Sequence, residues 1–223
     1  TDESGHIYWM VDASHSSATG VDIHLYKLDQ EGTKLWNDPF KIDGGGVQRG
    51  YRLALNDSLL LIGGKECDGF GQQSCNFRIW AVTRSNQQPA FTFEDDLDQL
   101  YEECDGIIPL PDGYFTSGWT ETDTSRLDIY LARLDAKGEA KWTRRWGSEL
   151  GEHQDGHIAR IGSTIYLCGA YGQPLPGYTN ALFNGRSLLA AFDVETGELI
   201  ESVTWVSASP TDPYVENALG MAT

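Results

Sequence analysis

The sequence is poor in positive charge and has no long apolar run. Its 223 residues include 16 Lys and Arg against 33 Asp and Glu, which gives a net charge of −17. Such a surface repels phosphate backbones and anionic lipid. A membrane helix needs roughly 20 apolar residues in a row, and the chain has no such segment. The start, Thr1-Asp2-Glu3, lacks the basic and apolar regions of a signal peptide. These deficits predict no nucleic-acid partner and no membrane span.

Several catalytic motifs are also missing. The chain contains neither HExxH nor Gly-x-Ser-x-Gly, the signatures of a helical zinc site and of a nucleophilic serine. His153 and His157 have the four-residue spacing of a helical zinc pair, whereas their segment is predicted to start a strand. Catalytic zinc and serine-nucleophile chemistry are therefore not expected.

Cysteine is scarce, with four residues in the chain. Cys67 and Cys75 flank the polar, Gly-containing loop CDGFGQQSC, which predicts a local disulfide and an oxidising location: extracellular, cell-surface or periplasmic. Cys104 and Cys168 lie far apart in sequence. Two interpretations of this second pair stay open, a disulfide or two buried thiols.

A repeated hairpin is the strongest pattern in the sequence. DIHLYKLDQEGTKLW at 22–36 and DIYLARLDAKGEAKW at 128–142 share an alternating segment, an Asp-x-x-Gly turn and a final Trp. Asp caps such a turn with its side chain, and Gly takes the positive φ that the turn requires. Further copies start at Asn76, with Asn86 predicted at the positive-φ position, and at Arg186, with Asp193 and Gly197 in the turn.

The copies start at 22, 76, 128 and 186, about 55 residues apart, and two shorter strands precede the later hairpins. Four four-stranded units predict an all-β, four-bladed β-propeller, with a β-sandwich as the alternative. The first unit lacks its opening strand, which the segment ENALGMA at 216–222 can supply. We expect one domain over 1–223: blade one at 213–223 plus 1–45, blade two at 46–98, blade three at 99–150 and blade four at 151–212.

The third unit resembles a bacterial and archaeal β-propeller repeat family with a D-G-G-Y…D-x-Y-L-x-K-L-D-x-x-G-x-x-x-W pattern. The matching residues are Asp105, Asp112, Gly113, Tyr114, Gly118, Thr120, Asp128, Tyr130, Leu131, Leu134, Asp135, Gly138 and Trp142. Units two and four depart from the pattern, and unit two lacks the turn Asp and Gly. The resemblance implies a propeller in a secreted or cell-surface protein and does not imply a chemistry. Family propellers often have more blades, so four indicates either a small propeller or part of a larger assembly.

Acidic residues precede the predicted inner strands, which border the axis of a propeller. Arg49, Asp105, Asp155 and Glu216 are expected to be equivalent. Asp105, Asp155 and Glu216 could bind calcium, which is the candidate ion, through carboxylate oxygens. The alternatives are that each Asp bonds backbone amides or that Arg49 pairs with a facing carboxylate. Glu102 joins the three acids as a candidate for glycoside hydrolysis.

The long segment GQPLPGYTNALFNGR at 172–186 is the predicted binding loop. Tyr171, Tyr178, Asn180 and Phe183, in or beside this loop, are candidate binding residues. Trp119, which follows a Gly in a strand of unit three, and Arg49 are the other two candidates. The sequence favours a non-catalytic extracellular or surface module that contacts a protein or a carbohydrate. The alternatives are an enzyme of hydrolase or lyase type with carboxylates at the channel mouth, and a calcium-stabilised structural subunit.

Overall fold

The computed structural model describes residues 1–14, 20–44, 46–68, 74–95, 101–122, 126–174 and 182–205, without the side chains of 155–156, 173–174, 182–185 and 205. Every regular element that it describes is a β-strand. In chain order the strands are β1 (Ile7–Ser14), β2 (Val21–Leu28), β3 (Phe40–Ile42), β4 (Val47–Leu55), β5 (Leu59–Cys67), β6 (Cys75–Thr83), β7 (Pro89–Asp95), β8 (Glu102–Leu110), β9 (Gly113–Glu121), β10 (Leu127–Asp135), β11 (Ala140–Trp146), β12 (Gly151–Ile161), β13 (Thr164–Pro174), β14 (Leu182–Asp193) and β15 (Leu199–Trp205).

The strands pair in four consecutive groups. The first group is β1–β3, the second β4–β7, the third β8–β11 and the fourth β12–β15. A single parallel bridge between Val21 and Val47 joins the first two groups into one sheet. The first group has three described strands where the others have four, and β1 is its edge strand. These groups match the sequence repeats.

The outer hairpin turns have the predicted chemistry. Oδ1 of Asp29 accepts the Thr33 amide at 2.7 Å; Asp135 does the same for the Glu139 amide at 2.9 Å. Gly32 and Gly138 have φ values of 82° and 85°, so the side-chain cap and the left-handed glycine are both confirmed. The backbone hydrogen bond from Glu139 lowers the pKa of Asp135.

The turn of the second group differs from the sequence prediction. Gln87, at a φ of 57°, takes the left-handed position expected for Asn86. Asn86 instead receives the hydroxyl hydrogen bond of Thr83. Ala81 pairs with Phe91, whereas its neighbour Val82 pairs with Pro89, so that β7 has one extra residue, a bulge, at this point. The bulge places the positive φ one residue later in the turn.

The core lies between the groups rather than within one sheet. One apolar cluster, which includes Ile23 and Leu60, joins the first and second groups. Another, which includes Phe77 and Tyr130, joins the second and third groups. A further cluster, with Leu131 and Leu167, joins the third and fourth groups. The middle groups therefore bury both of their faces. No described segment is a helix with the length and apolarity needed to span a membrane.

The predicted disulfide is confirmed. Cys67 ends β5 and Cys75 begins β6, and the two residues face each other in register with bonded sulfurs. Cys104 and Cys168 are both buried free thiols. The two interpretations of this second pair are thus decided in favour of thiols, and burial raises the pKa of each of them.

Replacing both Cys67 and Cys75 by Ser should lower the free energy of unfolding by about 2–3 kcal/mol, because the bridge closes a short loop whose entropy returns in the unfolded chain. Urea denaturation followed by tryptophan fluorescence measures the loss. Replacing Cys168 by Ala is the matched control, since it removes a thiol without removing a bridge. Equal stability of the double variant and the parent would contradict a structural role for this disulfide.

Candidate functional site

The strands β4, β8 and β12 start in the same way. Each has a bulge after its first few residues, where the register shifts beyond Gly50, Cys104 and Gln154. A glycine of the next strand faces each bulge. A Cβ at Gly64 or Gly118 would lie 1.8 Å from the carbonyl oxygen of Arg49 or Glu103, so only glycine allows this approach. We call these three strands the inner strands.

The register changes which residues are equivalent. Arg49 pairs with Lys65, Glu103 with Trp119 and His153 with Ala170, so Arg49, Glu103 and His153 occupy matching positions. The expected equivalence of Arg49 with Asp105 and Asp155 is therefore wrong. Asp105 and Asp155 lie within the bulges, which add residues to the inner strands and cannot be seen from repeat spacing alone.

A buried ion pair lies at this end of the inner strands. Lys65 Nζ is 2.9 Å from Oε2 of Glu103, and the exposed fractions of the two side chains are 4% and 14%. The same ammonium group sits 4.2 Å from the ring centre of Tyr101 and 5.4 Å from that of Tyr51, within cation–π range. Asp105, in the bulge of β8, is also buried.

The pKa values show how closely these groups interact. Burial lowers the pKa of Lys65. The negative charges of Glu103 and Asp105 oppose that shift, and the positive charge of Arg49 adds to it. Burial raises the pKa of Tyr51, and the charge of Glu103 raises it further. Arg49, Tyr51, Lys65, Glu103 and Asp105 therefore form one electrostatic unit, which we call the inner-strand cluster. Two acids and two bases meet in it, with Arg49, Tyr51 and Glu103 partly exposed.

Aromatic rings back the cluster. Tyr101 stacks on Trp119 at 5.1 Å, and Trp119 contacts the His153 ring at 4.9 Å. Trp119 is only 1% exposed. Among the described residues its Nε1 has no hydrogen-bond partner. The structure therefore places Trp119 in the packing between groups, where it does not offer the surface expected of a binding residue.

A second pair of carboxyl groups lies between the third and fourth groups. Glu152 is fully buried and its Oε2 accepts the amide of Ser148 at 3.0 Å. Burial raises the pKa of Glu152, the hydrogen bonds from Ser148 oppose this shift, and the charge of Asp128 adds to it. Burial also raises the pKa of Asp128, while Arg126 opposes the shift. At neutral pH the ionised forms of these two carboxyl groups are therefore less favourable in the folded protein than in water.

The predicted binding loop is shorter than the sequence suggested. β13 runs to Pro174 and β14 begins at Leu182, because Gln173 pairs with Phe183 and extends the hairpin. Tyr171 and Phe183 thus belong to strands, and Tyr171 is half-buried against the core of the third and fourth groups. Tyr178, Asn180 and Glu216, and the side chains of Asp155 and Phe183, fall outside what the structure describes.

Of the three residues predicted to bind calcium, Asp105 is the one whose side chain the structure describes. Within the described ranges, no group of three His, Cys, Asp or Glu residues is placed to hold a metal ion. Two of the three predicted ligands, Asp155 and Glu216, have no described side chain. Calcium binding stays a prediction.

Comparisons with known proteins identify the fold. No protein family and no curated protein matches the sequence. The chain is similar to the quinohemoprotein alcohol dehydrogenase ADHIIG of Pseudomonas putida HK5, with a TM-score of 0.53 and 16% identity over 90% of this chain and 34% of that one. It is also similar to 1,3Gal43A, an exo-β-1,3-galactanase from Clostridium thermocellum, with a TM-score of 0.50 and 10% identity over 92% of this chain and 47% of that one.

The chain therefore spans between about a third and a half of the structures that it matches. The all-β architecture and these similarities identify a fold of the β-propeller type. Both similar structures are enzymes. This finding overturns the prediction of a non-catalytic binding or assembly module and favours the alternative of an enzyme.

Replacing Gly118 by Ala should destabilise the protein by about 3 kcal/mol, because the new methyl group overlaps the carbonyl oxygen of Glu103 and forces the bulge to move. Thermal and urea denaturation measure this loss. The control is Gly162→Ala, where φ is 63° and no atom lies within 4 Å, so that only backbone strain of about 1 kcal/mol is added. If both variants lose the same free energy, the close approach does not restrain the bulge.

Replacing Glu152 by Gln should stabilise the protein at pH 7 and have less effect below pH 4.5. A carboxyl group with a raised pKa binds its proton more tightly in the folded protein than in the unfolded chain, so its burial costs stability above the ordinary value of 4.5 and not below it. The Gln oxygen can still accept the Ser148 amide. Urea denaturation at pH 7 and pH 4 gives the comparison, with Glu198→Gln on the surface as control; a variant less stable than the parent at pH 7 would contradict the expectation.

Proposed function

We propose that the chain is a hydrolase that cleaves glycosidic bonds with carboxylates of the inner-strand cluster. The observation that carries the proposal is the buried ion pair of Lys65 and Glu103 beside Asp105. Burial of Lys65 and Asp105 beside the partly exposed Glu103 costs folding free energy, and charged groups with perturbed pKa values that meet in one place are typical of functional sites.

Glycoside hydrolysis requires two carboxyl groups in different protonation states. Lys65 Nζ lies 2.9 Å from Oε2 of Glu103 and restrains the position of this carboxylate, as a nucleophile or base requires. Asp105 lies two residues later in the bulge of β8 and is buried. We assign Glu103 the role of nucleophile or base and Asp105 that of acid.

The surrounding residues fit the same chemistry. Arg49, partly exposed on the neighbouring inner strand, can donate to sugar hydroxyls, and Tyr51 presents a hydroxyl beside Glu103. Oxocarbenium character in the transition state is positive, so a carboxylate placed beside the sugar ring, as Glu103 would be, favours it. The shared fold of the galactanase supports a carbohydrate substrate.

We further propose that each strand group is one blade and that residues 216–222 supply the missing inner strand of a first blade. Support comes from the first group, which has three described strands and leaves β1 at its edge. The disulfide supports an extracellular or periplasmic location for the enzyme.

The purified chain should hydrolyse at least one member of a panel of aryl glycosides and β-1,3-galactan. Glu103→Gln and Asp105→Asn should each lower kcat/KM by about 100-fold or more, because each removes one member of the acid–base pair. Reducing-sugar release and 4-nitrophenol absorbance measure the rates.

The matched control for these variants is Glu139→Gln, which removes a carboxylate from an exposed turn. Circular dichroism confirms that each variant is folded. Absence of turnover by the folded parent on the whole panel would overturn the proposal, and so would full activity of both cluster variants.

A further inference from the structure

Consecutive strand groups pack by a repeated contact between a turn and an aromatic ring. A Cβ at Gly138, in the third group, would lie 2.2 Å from the Phe91 ring of the second group; a Cβ at Gly197, in the fourth group, would lie 2.6 Å from the Trp142 ring of the third. Trp142 Nε1 also donates to the carbonyl oxygen of Glu195 at 2.6 Å. The missing side chain of each turn glycine thus leaves room for an aromatic ring from the outer strand of the preceding group.

The first group has the same turn, but among the described residues no aromatic ring packs against its glycine. Gly32 matches Gly138 in sequence and in φ, yet within the described part of the chain no atom lies within 4 Å of a Cβ built on it. The face that bears this turn is apolar and exposed: Ile7 is 36% exposed, Trp9 54% and Leu35 45%. Trp9 lies beside Tyr26 at 5.6 Å. This face, which we call the leading face, has the composition of a group interface.

The fourth group exposes the complementary side. Leu188 and Ala190 of β14 point to the third group, so Leu189 and its partner Val203 point away from it. Val203 is 53% exposed, and Ile161, on the same side at the end of β12, is 65% exposed. We call this side the trailing face. It corresponds to the side of the third group that receives Gly197.

We propose that the leading face of one copy of this chain packs on the trailing face of a second copy, and that two copies close one ring of eight strand groups. The interface continues the three already present inside the chain, since it joins the same two kinds of face in the same order. A head-to-tail contact of this kind forms a closed ring when the rotations add up to a full turn.

Charge agrees with a second copy as the occupant. Lys34 shares the leading face with Leu28, its bridge partner. Glu201 shares the trailing face with Ala191, its pair in the sheet. The two faces thus offer charges of opposite sign. This arrangement replaces the ring of four groups that the repeat spacing suggested, because Trp9 and Val203 would be covered in that ring.

Light scattering after size exclusion should give twice the chain mass of 24.7 kDa. Trp9→Glu and Val203→Glu should each raise the dimer dissociation constant by about 100-fold or more, because each buries an unpaired carboxylate in an apolar interface. Both sites are exposed within one copy, so circular dichroism should be unchanged. The control is Ala90→Glu on the exposed outer strand β7, away from both faces.

Two further measurements distinguish this interface from others. Lys34→Glu and Glu201→Lys should each weaken the dimer, and the two changes together should restore it. A mixture of the Trp9→Glu and Val203→Glu chains should form a heterodimer, since one intact leading face and one intact trailing face remain.

A monomeric parent at about 100 μM would overturn the proposal, because a ring interface of standard size holds far below that concentration. Sensitivity to only one of the two face variants would indicate a contact between like faces and would also overturn it. Long filaments in place of a dimer would show that the head-to-tail contact does not close.

Discussion

The approach of an inner-strand carbonyl oxygen to a glycine of the next strand is the contact on which the rest of the site depends. At Gly118 that oxygen belongs to Glu103 and occupies the space of the missing side chain. The same contact at Gly64 fixes Arg49, and its counterpart at Gly169 fixes His153. The bulge that follows turns Asp105 towards the cluster. A backbone constraint thus decides which charged side chains meet.

Burial then sets the chemistry of the charges that the backbone brings together. Lys65 and Glu103 interact across a largely dehydrated contact, where an ion pair is stronger than in water and far more costly to break. Arg133, at the opposite end of the third group, is fully buried and donates to the carbonyl oxygen of Leu134 at 2.7 Å and to Asp112, whose side chain is 57% exposed. The first pair has a neighbouring buried acid, Asp105, whereas Asp112 has a second basic partner in Lys141, and we assign the pair of Arg133 and Asp112 to the stability of the fold.

The sequence alone predicted the strands, the hairpin turns and the disulfide, because each depends on local chemistry: Asp29 and Gly32 specify their turn wherever the hairpin lies. The cluster depends on register between strands. Lys65 stands in the apolar run LLLIGGKEC, and a lysine there is a visible signal of a buried charge, but its partner Glu103 is 38 residues away. Bulges shift the inner strands against the repeat, which is why Asp105 was aligned with Arg49.

The position of the disulfide ties the cluster to the redox state of its surroundings. Cys67 is two residues beyond Lys65 on β5 and faces Val47 of the inner strand β4, which places the bridge next to the strands that carry Lys65 and Arg49. Reduction would remove the covalent link between the ends of β5 and β6, and this end of the strand that carries Lys65 would then depend on its backbone pairing with β4 and β6. Loss of the bridge would therefore loosen the placement of the Lys65 ammonium group against Glu103 as well as the fold.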